Sequence, residues 1–339
     1  MAYLGLIIKG CFIGIANIIP GVSGGTMAVV LGIYERLIHA LHSIDLKTAK
    51  RFIAALTFKK AALAELMLEF RRIDLGFLVA IAFGALAAIA ASAKLMVFLL
   101  AERHDPTYGF FWGLVLTSII IPLKMLSRFS AKALISLLVA AALTVGLTMS
   151  MSGEQRVESE RKKLMLKQAG ELTAEQNTLE TESLDHSVPR LAYLFVCGAV
   201  AISAMILPGI SGSFVFLLLG VYFDVLRAIN QRDVVILATV GLGCGLGLLA
   251  FTRLLNYVLE RHRDLTIAFL IGLMLGSLYG IWPFRTFEMV GGERIDMAHV
   301  LPTVNSNLFL TIATFLLGCG LILIFYVFES QNASRRGSG

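Results

Sequence analysis

Hydrophobic residues fill long stretches of this chain, and polar residues gather in short blocks between them. A run of about 20 apolar residues is the length that crosses a bilayer as a helix. Runs close to that length cover 75–100, 107–123, 133–149, 234–259, 265–282 and 308–328, and each predicts a transmembrane helix. Two more apolar stretches, 4–41 and 191–229, are interrupted in the middle. Asn17-Ile18-Ile19-Pro20-Gly21-Val22-Ser23-Gly24-Gly25 divides the first, and Met205-Ile206-Leu207-Pro208-Gly209-Ile210-Ser211-Gly212-Ser213 divides the second. Such breaks strip backbone groups of helical partners, and in lipid they survive only where protein shelters them.

The two breaks are one phrase written twice. At the same spacing Gly32-Ile33-Tyr34 matches Gly220-Val221-Tyr222, and Gly10 matches Gly198. A second series follows at a shorter spacing: Asp74 with Asp233, Gly84 with Gly243, Lys94 with Arg253, Asp105 with Asp264, and Gly113 with Gly272. The pattern predicts an all-α polytopic membrane protein of two repeats, 1–149 and 191–329. Each repeat is a re-entrant helical hairpin followed by three transmembrane helices. Two short crossings per hairpin would give the same parity. Three spans per repeat invert the second repeat relative to the first, a plan common in secondary transporters. The first repeat carries an extra charged, amphipathic insertion at 42–73, expected to lie on the membrane surface. A polar loop at 150–190 joins the repeats, with Thr173 and Gln176 spaced as a capping box. The first 30 residues recur internally and lack an Ala-x-Ala site, so they read as part of the fold and not as a signal peptide.

Composition narrows the class. The chain is 57% hydrophobic and 15% charged, against about 25% charged for a soluble domain. Its net charge of +6 reads as a topology signal, not as a nucleic-acid footprint. Lys and Arg crowd 47–72, 124–132, 261–263 and 335–336, which predicts a multi-pass membrane protein with both termini cytoplasmic. The four cysteines lie in apolar segments without C-x-x-C spacing and read as small apolar residues. No H-E-x-x-H, nucleophile elbow or His/Cys cluster occurs, so no enzyme, metal or cofactor is expected.

Within apolar segments stand the cations Lys9, Arg36, Lys94, Arg227 and Arg253 and the acids Glu35 and Asp224. Charge in a membrane is costly and marks function by default. Lys94 and Arg253 occupy equivalent places in the repeats, although each is near enough to a helix end to snorkel. Glu35 and Asp224 are candidates for proton or sodium coupling, or for local ion pairs with Arg36 and Arg227. At the breaks, free N–H groups and a following helix N-terminus suit an anion. Gly21, Gly24, Gly25, Gly209 and Gly212 allow close approach there. Ser23, Thr26, Ser211 and Ser213 add hydroxyls, and Asn17 adds an amide. Kinking for helix packing is the other reading of these glycines and prolines. The residues alone reach a transporter of an anion, phosphate or carboxylate.

Lys9-Gly10, Gly14, the run Ala16 to Thr26 and Gly32-Ile33-Tyr34-Glu35 resemble the signature of the PopT family, and Pro208-Gly209-Ile210-Ser211-Gly212 resembles its second motif. The resemblance spans nearly the whole chain except the 150–190 loop. It implies a polyprenyl-phosphate translocase that returns undecaprenyl phosphate from the outer to the cytoplasmic leaflet for envelope synthesis. The implied partner is a lipid phosphate in the bilayer. Alternating access between the two hairpins follows as the expected mechanism. A transporter of a small soluble anion is the alternative, and a homo-oligomer stays open.

Overall fold

The structure is a computed structural model. It describes residues 2–18, 24–45, 47–48, 50–51, 60–150, 157–158, 161–162, 165, 184–290 and 293–337. Pro20, Gly21 and Ser23 of the first break, and Thr173 and Gln176, lie outside the described residues.

The first half runs α1 (Ala2–Ile18), α2 (Gly24–Val30), α3 (Tyr34–His42), α4 (Lys60–Arg72), α5 (Leu75–Glu102), α6 (His104–Ser118), α7 (Ile120–Met125) and α8 (Ala131–Met149). The second runs α9 (Val188–Ile206), α10 (Gly212–Leu218), α11 (Tyr222–Gln231), α12 (Val234–Arg261), α13 (Arg263–Gly280), β1 (Arg285–Val290), β2 (Glu293–His299) and α14 (Ser306–Gly337). Among the described residues, seven helices are long and apolar enough to cross a membrane: α5, α6 with α7, α8, α9, α12, α13 and α14. The pair α10 and α11, bent by 112°, would make an eighth if counted as one span. Local chemistry sets several starts. The Ser130 hydroxyl accepts the Ala133 N–H at the head of α8, and the Asp233 carboxylate accepts the Val235 and Ile236 N–H groups at the head of α12.

One feature departs from a wholly helical chain. Residues 285–290 and 293–299 pair as antiparallel strands, with Phe287 opposite Asp296 and Glu288 opposite Ile295. Alternating residues on either side of Gly291-Gly292 are the usual sequence of such a hairpin.

The helices pack in four long pairs: α1 with α5, α9 with α12, α6 with α14, and α8 with α13. The last two join halves of the chain. Gly113 in α6 lies against the Phe315 carbonyl, where a Cβ would come within 2.2 Å, and Gly272 in α13 lies against the Leu137 carbonyl at 2.1 Å. Two glycines matched in the sequence thus each seat the third long helix of the opposite half. The turns match as well. Gly32 and Gly220 have φ of 65° and 68°, conformations that a Cβ disfavours. The residue after each sits at φ −112°. Half or more of the α6–α7 and α13 segments is buried, 56% and 61%, against 17–28% for the other spans. These two therefore form the interior, and the buried cluster joins them to Met27, Ala28, Tyr34 and Ile38 of the first hairpin.

Polar contacts gather at two ends. At one end Arg36 binds Asp74 (2.7 Å), Arg263 binds Glu35 (3.4 Å), and Asp264 accepts the N–H groups of Ser127 (2.9 Å) and Arg128 (3.2 Å). The 28-residue helices α5 and α12, each about 42 Å long, carry the chain to the other end. There His104 joins Asp105 (3.0 Å) and Asp296 (2.9 Å), and Asn307 donates to Asp105 (2.7 Å). Burial pushes the Asp296 carboxyl up, but the His104 hydrogen bond and the charges of His104, Arg285 and Arg294 outweigh it and hold the group below its ordinary range. The equivalent residues Asp105 and Asp264 each tether the approach to the opposite half's third helix.

Candidate functional site

The two breaks meet inside the protein. Asn17 lies in the last turn of α1, and its side-chain oxygen accepts the Gly24 N–H at 3.0 Å, bridging the gap to α2. Gly25 then lies against the second break. A Cβ there would stand 2.6 Å from the Ile206 carbonyl oxygen. One residue on, Thr26 is buried, and its hydroxyl accepts the Gly209 N–H at 2.9 Å. The Tyr34 hydroxyl donates to the Ile206 carbonyl at 3.2 Å. Two of the backbone groups released where α9 ends therefore find partners on the first hairpin, which is how a break survives away from water.

Gly209 adopts φ +84° and packs on α13, where a Cβ would come within 2.8 Å of the Ser277 Cβ. Pro208 and Ile210 are buried, whereas Ser213 is exposed. The Ser211 and Ser213 hydroxyls face each other at 2.9 Å. The short helices that follow the breaks, α2 and α10, have seven residues each.

The structure brings Asn17, Gly24, Gly25, Thr26 and Gly209 together, with Ser211, Gly212 and Ser213 continuing the same segment. Lys9 donates to the Leu31 carbonyl at 2.8 Å, at the end of α2. Arg36 is drawn away, to Asp74 and over the Phe77 ring at 4.3 Å. Glu35 faces Arg263. Arg253 is exposed on α12. The Lys94 backbone lies in α5, and its side chain is outside the described residues. Asp224 accepts hydrogen bonds from Arg227 at 3.2 Å and from Arg190.

Arg190 and Tyr34 are the functional-looking residues that sequence reasoning missed. Tyr34 stood in plain view within the repeated phrase. Arg190 sits at the edge of the polar loop, and only its fold partner distinguishes it. A further apolar cavity of about 360 Å³, lined by Trp112, Tyr279, Trp282 and His299 among others, lies beside the β hairpin. Among the described residues, no group of three or more His, Cys, Asp or Glu is placed to hold a metal.

A multi-helix membrane protein with two sheltered breaks is the class that this geometry defines. Residues 13–297 match the model of a family described as VCA0040-like, undecaprenyl phosphate translocase-like, and the chain belongs to that family. It is 35% identical, over 91% of its own length and 86% of the relative's, to a polyprenyl-phosphate transporter of Vibrio cholerae. It is 31% identical, over 82% of its length and 85% of the relative's, to a polyprenyl-phosphate transporter of Staphylococcus aureus. Both relatives carry the names of transporters and not of enzymes. No solved structure matches the chain.

Proposed function

We propose that this protein translocates a polyprenyl phosphate, undecaprenyl phosphate in particular, from the outer to the inner leaflet of a bacterial cytoplasmic membrane. The observation that carries the reading is the meeting of the two breaks, with Thr26 accepting the Gly209 N–H at 2.9 Å. Both breaks thereby belong to one unit beside the most buried helices. The names of the relatives supply the chemical class of the ligand.

In this reading the phosphate is held at the breaks and the isoprenoid tail stays in lipid. Ser211 and Ser213 offer hydroxyl donors, and the Gly209 turn brings the backbone close. The first break acts as the strut against which the second is held. The two hairpins are re-entrant and belong to inverted repeats, with alternating access as the mechanism. Support for the inversion comes from the crossed pairing of α6 with α14 and α13 with α8, and from the matched tethers at Asp105 and Asp264. The end that holds Glu35, Asp74 and Arg263 is cytoplasmic, on the strength of its Lys and Arg excess. Arg253, exposed on α12, serves as an interfacial anchor in this scheme.

The test is reconstitution of full-length protein in liposomes with labelled undecaprenyl phosphate in one leaflet. The account expects protein-dependent movement of the lipid under a proton or sodium gradient. Movement of free phosphate with none of the lipid would replace it with a soluble-anion transporter.

A further inference from the structure

Near the β-hairpin end, where the second hairpin begins and ends, a cavity of about 250 Å³ is lined by Leu184, Asp185, Arg190, Leu194, Asp224, Arg227 and Ile236. Arg190 lies in the first turn of α9, and Asp224 and Arg227 lie on α11. Both guanidiniums turn to the same carboxylate: Arg227 reaches one Asp224 oxygen at 3.2 Å, and Arg190 reaches the other. Asp185 also faces the cavity, but its oxygens accept the Ser187 N–H at 2.8 Å and the Ser187 hydroxyl at 3.0 Å. The rest of the lining is apolar and buried: Leu184, Leu194 and Ile236.

We propose that this cavity is a receiving site for the phosphate monoester of an amphiphile, in which Asp224 is a resident stand-in for the ligand. The proposal rests on the translocase reading and adds to it where the headgroup docks first. The chemistry runs as follows. A planar guanidinium matches the paired oxygens of a phosphate as well as those of a carboxylate. A phosphate dianion presents three acceptor oxygens and more charge than Asp224, so it competes for the two arginines on favourable terms. The apolar wall gives the first carbons of a chain somewhere to lie, which inorganic phosphate would leave unused.

Place and asymmetry support this assignment. Arg190 and the second break stand at opposite ends of α9, a 19-residue helix about 28 Å long. A headgroup released from the arginines has one helix to follow to Ser211. At the spacing that matches the two phrases, Ala2, Arg36 and His39 occupy the places of Arg190, Asp224 and Arg227. The first hairpin therefore has a cation where the second has the stand-in. A carrier that loads its headgroup from one side of the membrane needs such a difference.

The experiment measures binding of farnesyl phosphate to the full-length protein in neutral-lipid nanodiscs, with inorganic phosphate and farnesol as comparison ligands. Undecaprenyl phosphate movement is followed in parallel in liposomes. Wild type should bind farnesyl phosphate more tightly than either comparison ligand. Arg190→Ala and Arg227→Ala should each weaken it by roughly tenfold or more, the scale of a lost charge-assisted hydrogen bond. Asp224→Asn should tighten it several-fold, because a competitor for the arginines is gone. A purely structural Asp224 predicts the reverse, loosened arginines and weaker binding. Where an alanine variant fails to fold, Arg190→Lys and Asp224→Asn carry the test, with loss expected in the first and gain in the second. Unchanged binding in the arginine variants, or weaker binding in Asp224→Asn, overturns the site. Either result alongside normal lipid movement by wild type leaves the translocase reading standing.

Discussion

At the first break Asn17 accepts the Gly24 N–H, Gly25 is pressed on the Ile206 carbonyl, and Thr26 reaches the Gly209 amide. At the second, Ser211 and Ser213 turn their hydroxyls to each other, and Ser213 is exposed. One phrase thus serves two purposes. Asn17 and Thr26 of the first copy hold the structure, while the described hydroxyls of the second include the exposed Ser213. The outer parts of the hairpins diverge in the same sense, with Arg36 paired to Asp74 in one and two arginines around Asp224 in the other. The turns at Gly32 and Gly220 share a backbone conformation, while the side chains that follow them diverge.

The sharpest way to break that comparison makes one residue type at two matched positions. Gly25→Ala puts a Cβ 2.6 Å from a backbone oxygen, and overpacking of this kind costs about 1–3 kcal/mol. Ser213→Ala, at an exposed site, should stay within about 0.5 kcal/mol. Melting temperatures of the purified variants check the pair, and equal shifts would remove the distinction between strut and surface.

Thr26→Val comes next. It removes the hydroxyl that the Gly209 amide donates to, from the buried Thr26 position, for about 1–3 kcal/mol. Hydrogen exchange at Gly209 should quicken in Thr26→Val and stay unchanged in Ser211→Ala.

The insertion at 42–73, present only in the first half, has its own anchor. Glu69 is buried and accepts hydrogen bonds from Arg72 and Thr48, with Arg51 as a third partner. The Arg72 hydrogen bond foremost, then those of Thr48 and Arg51, hold its carboxyl down to about 2 from an ordinary 4.5, against the opposing effect of burial. A depressed carboxyl contributes its stability fully above the ordinary value and loses it as pH falls through the native one. Pepsin cleavage within 60–72 should therefore rise as pH drops from 4.5 towards 2. In Glu69→Gln it should be high across that window.

A small effect is expected of Arg36→Ala. Its pair with Asp74 is about half exposed, 51% and 41%, and exposed pairs are worth about 0–1 kcal/mol. A shift in melting temperature beyond that of Thr26→Val would give the first hairpin an anchor that its exposure does not suggest.

Much of this arrangement was legible in the chain. Long apolar runs are dictated by bilayer thickness, so the multi-pass helical class follows from them directly. The doubled phrase pointed to Asn17, Gly25, Thr26 and Gly209, because a repeated helix break is too costly to be accidental. What the chain did not disclose is that the breaks touch, since the Thr26–Gly209 bond joins residues 183 apart in sequence. The β hairpin escaped notice because its alternation is short beside the spans that flank it. Arg190 was hidden for a related reason, as a cation at a loop edge gains meaning only from the carboxylate that the fold brings to it.

The central claim is that the breaks, and not Lys94 of α5 or Arg253 of α12, hold the phosphate during translocation. Its most direct test is undecaprenyl phosphate movement in liposomes by the double variant Ser211→Ala/Ser213→Ala beside Arg253→Ala, each matched to wild type in melting temperature. The account predicts a loss of roughly tenfold or more for the serine pair, on the scale of lost hydrogen bonds to a charged ligand, with Arg253→Ala close to wild type. Full movement by the serine variant together with loss in Arg253→Ala would contradict it.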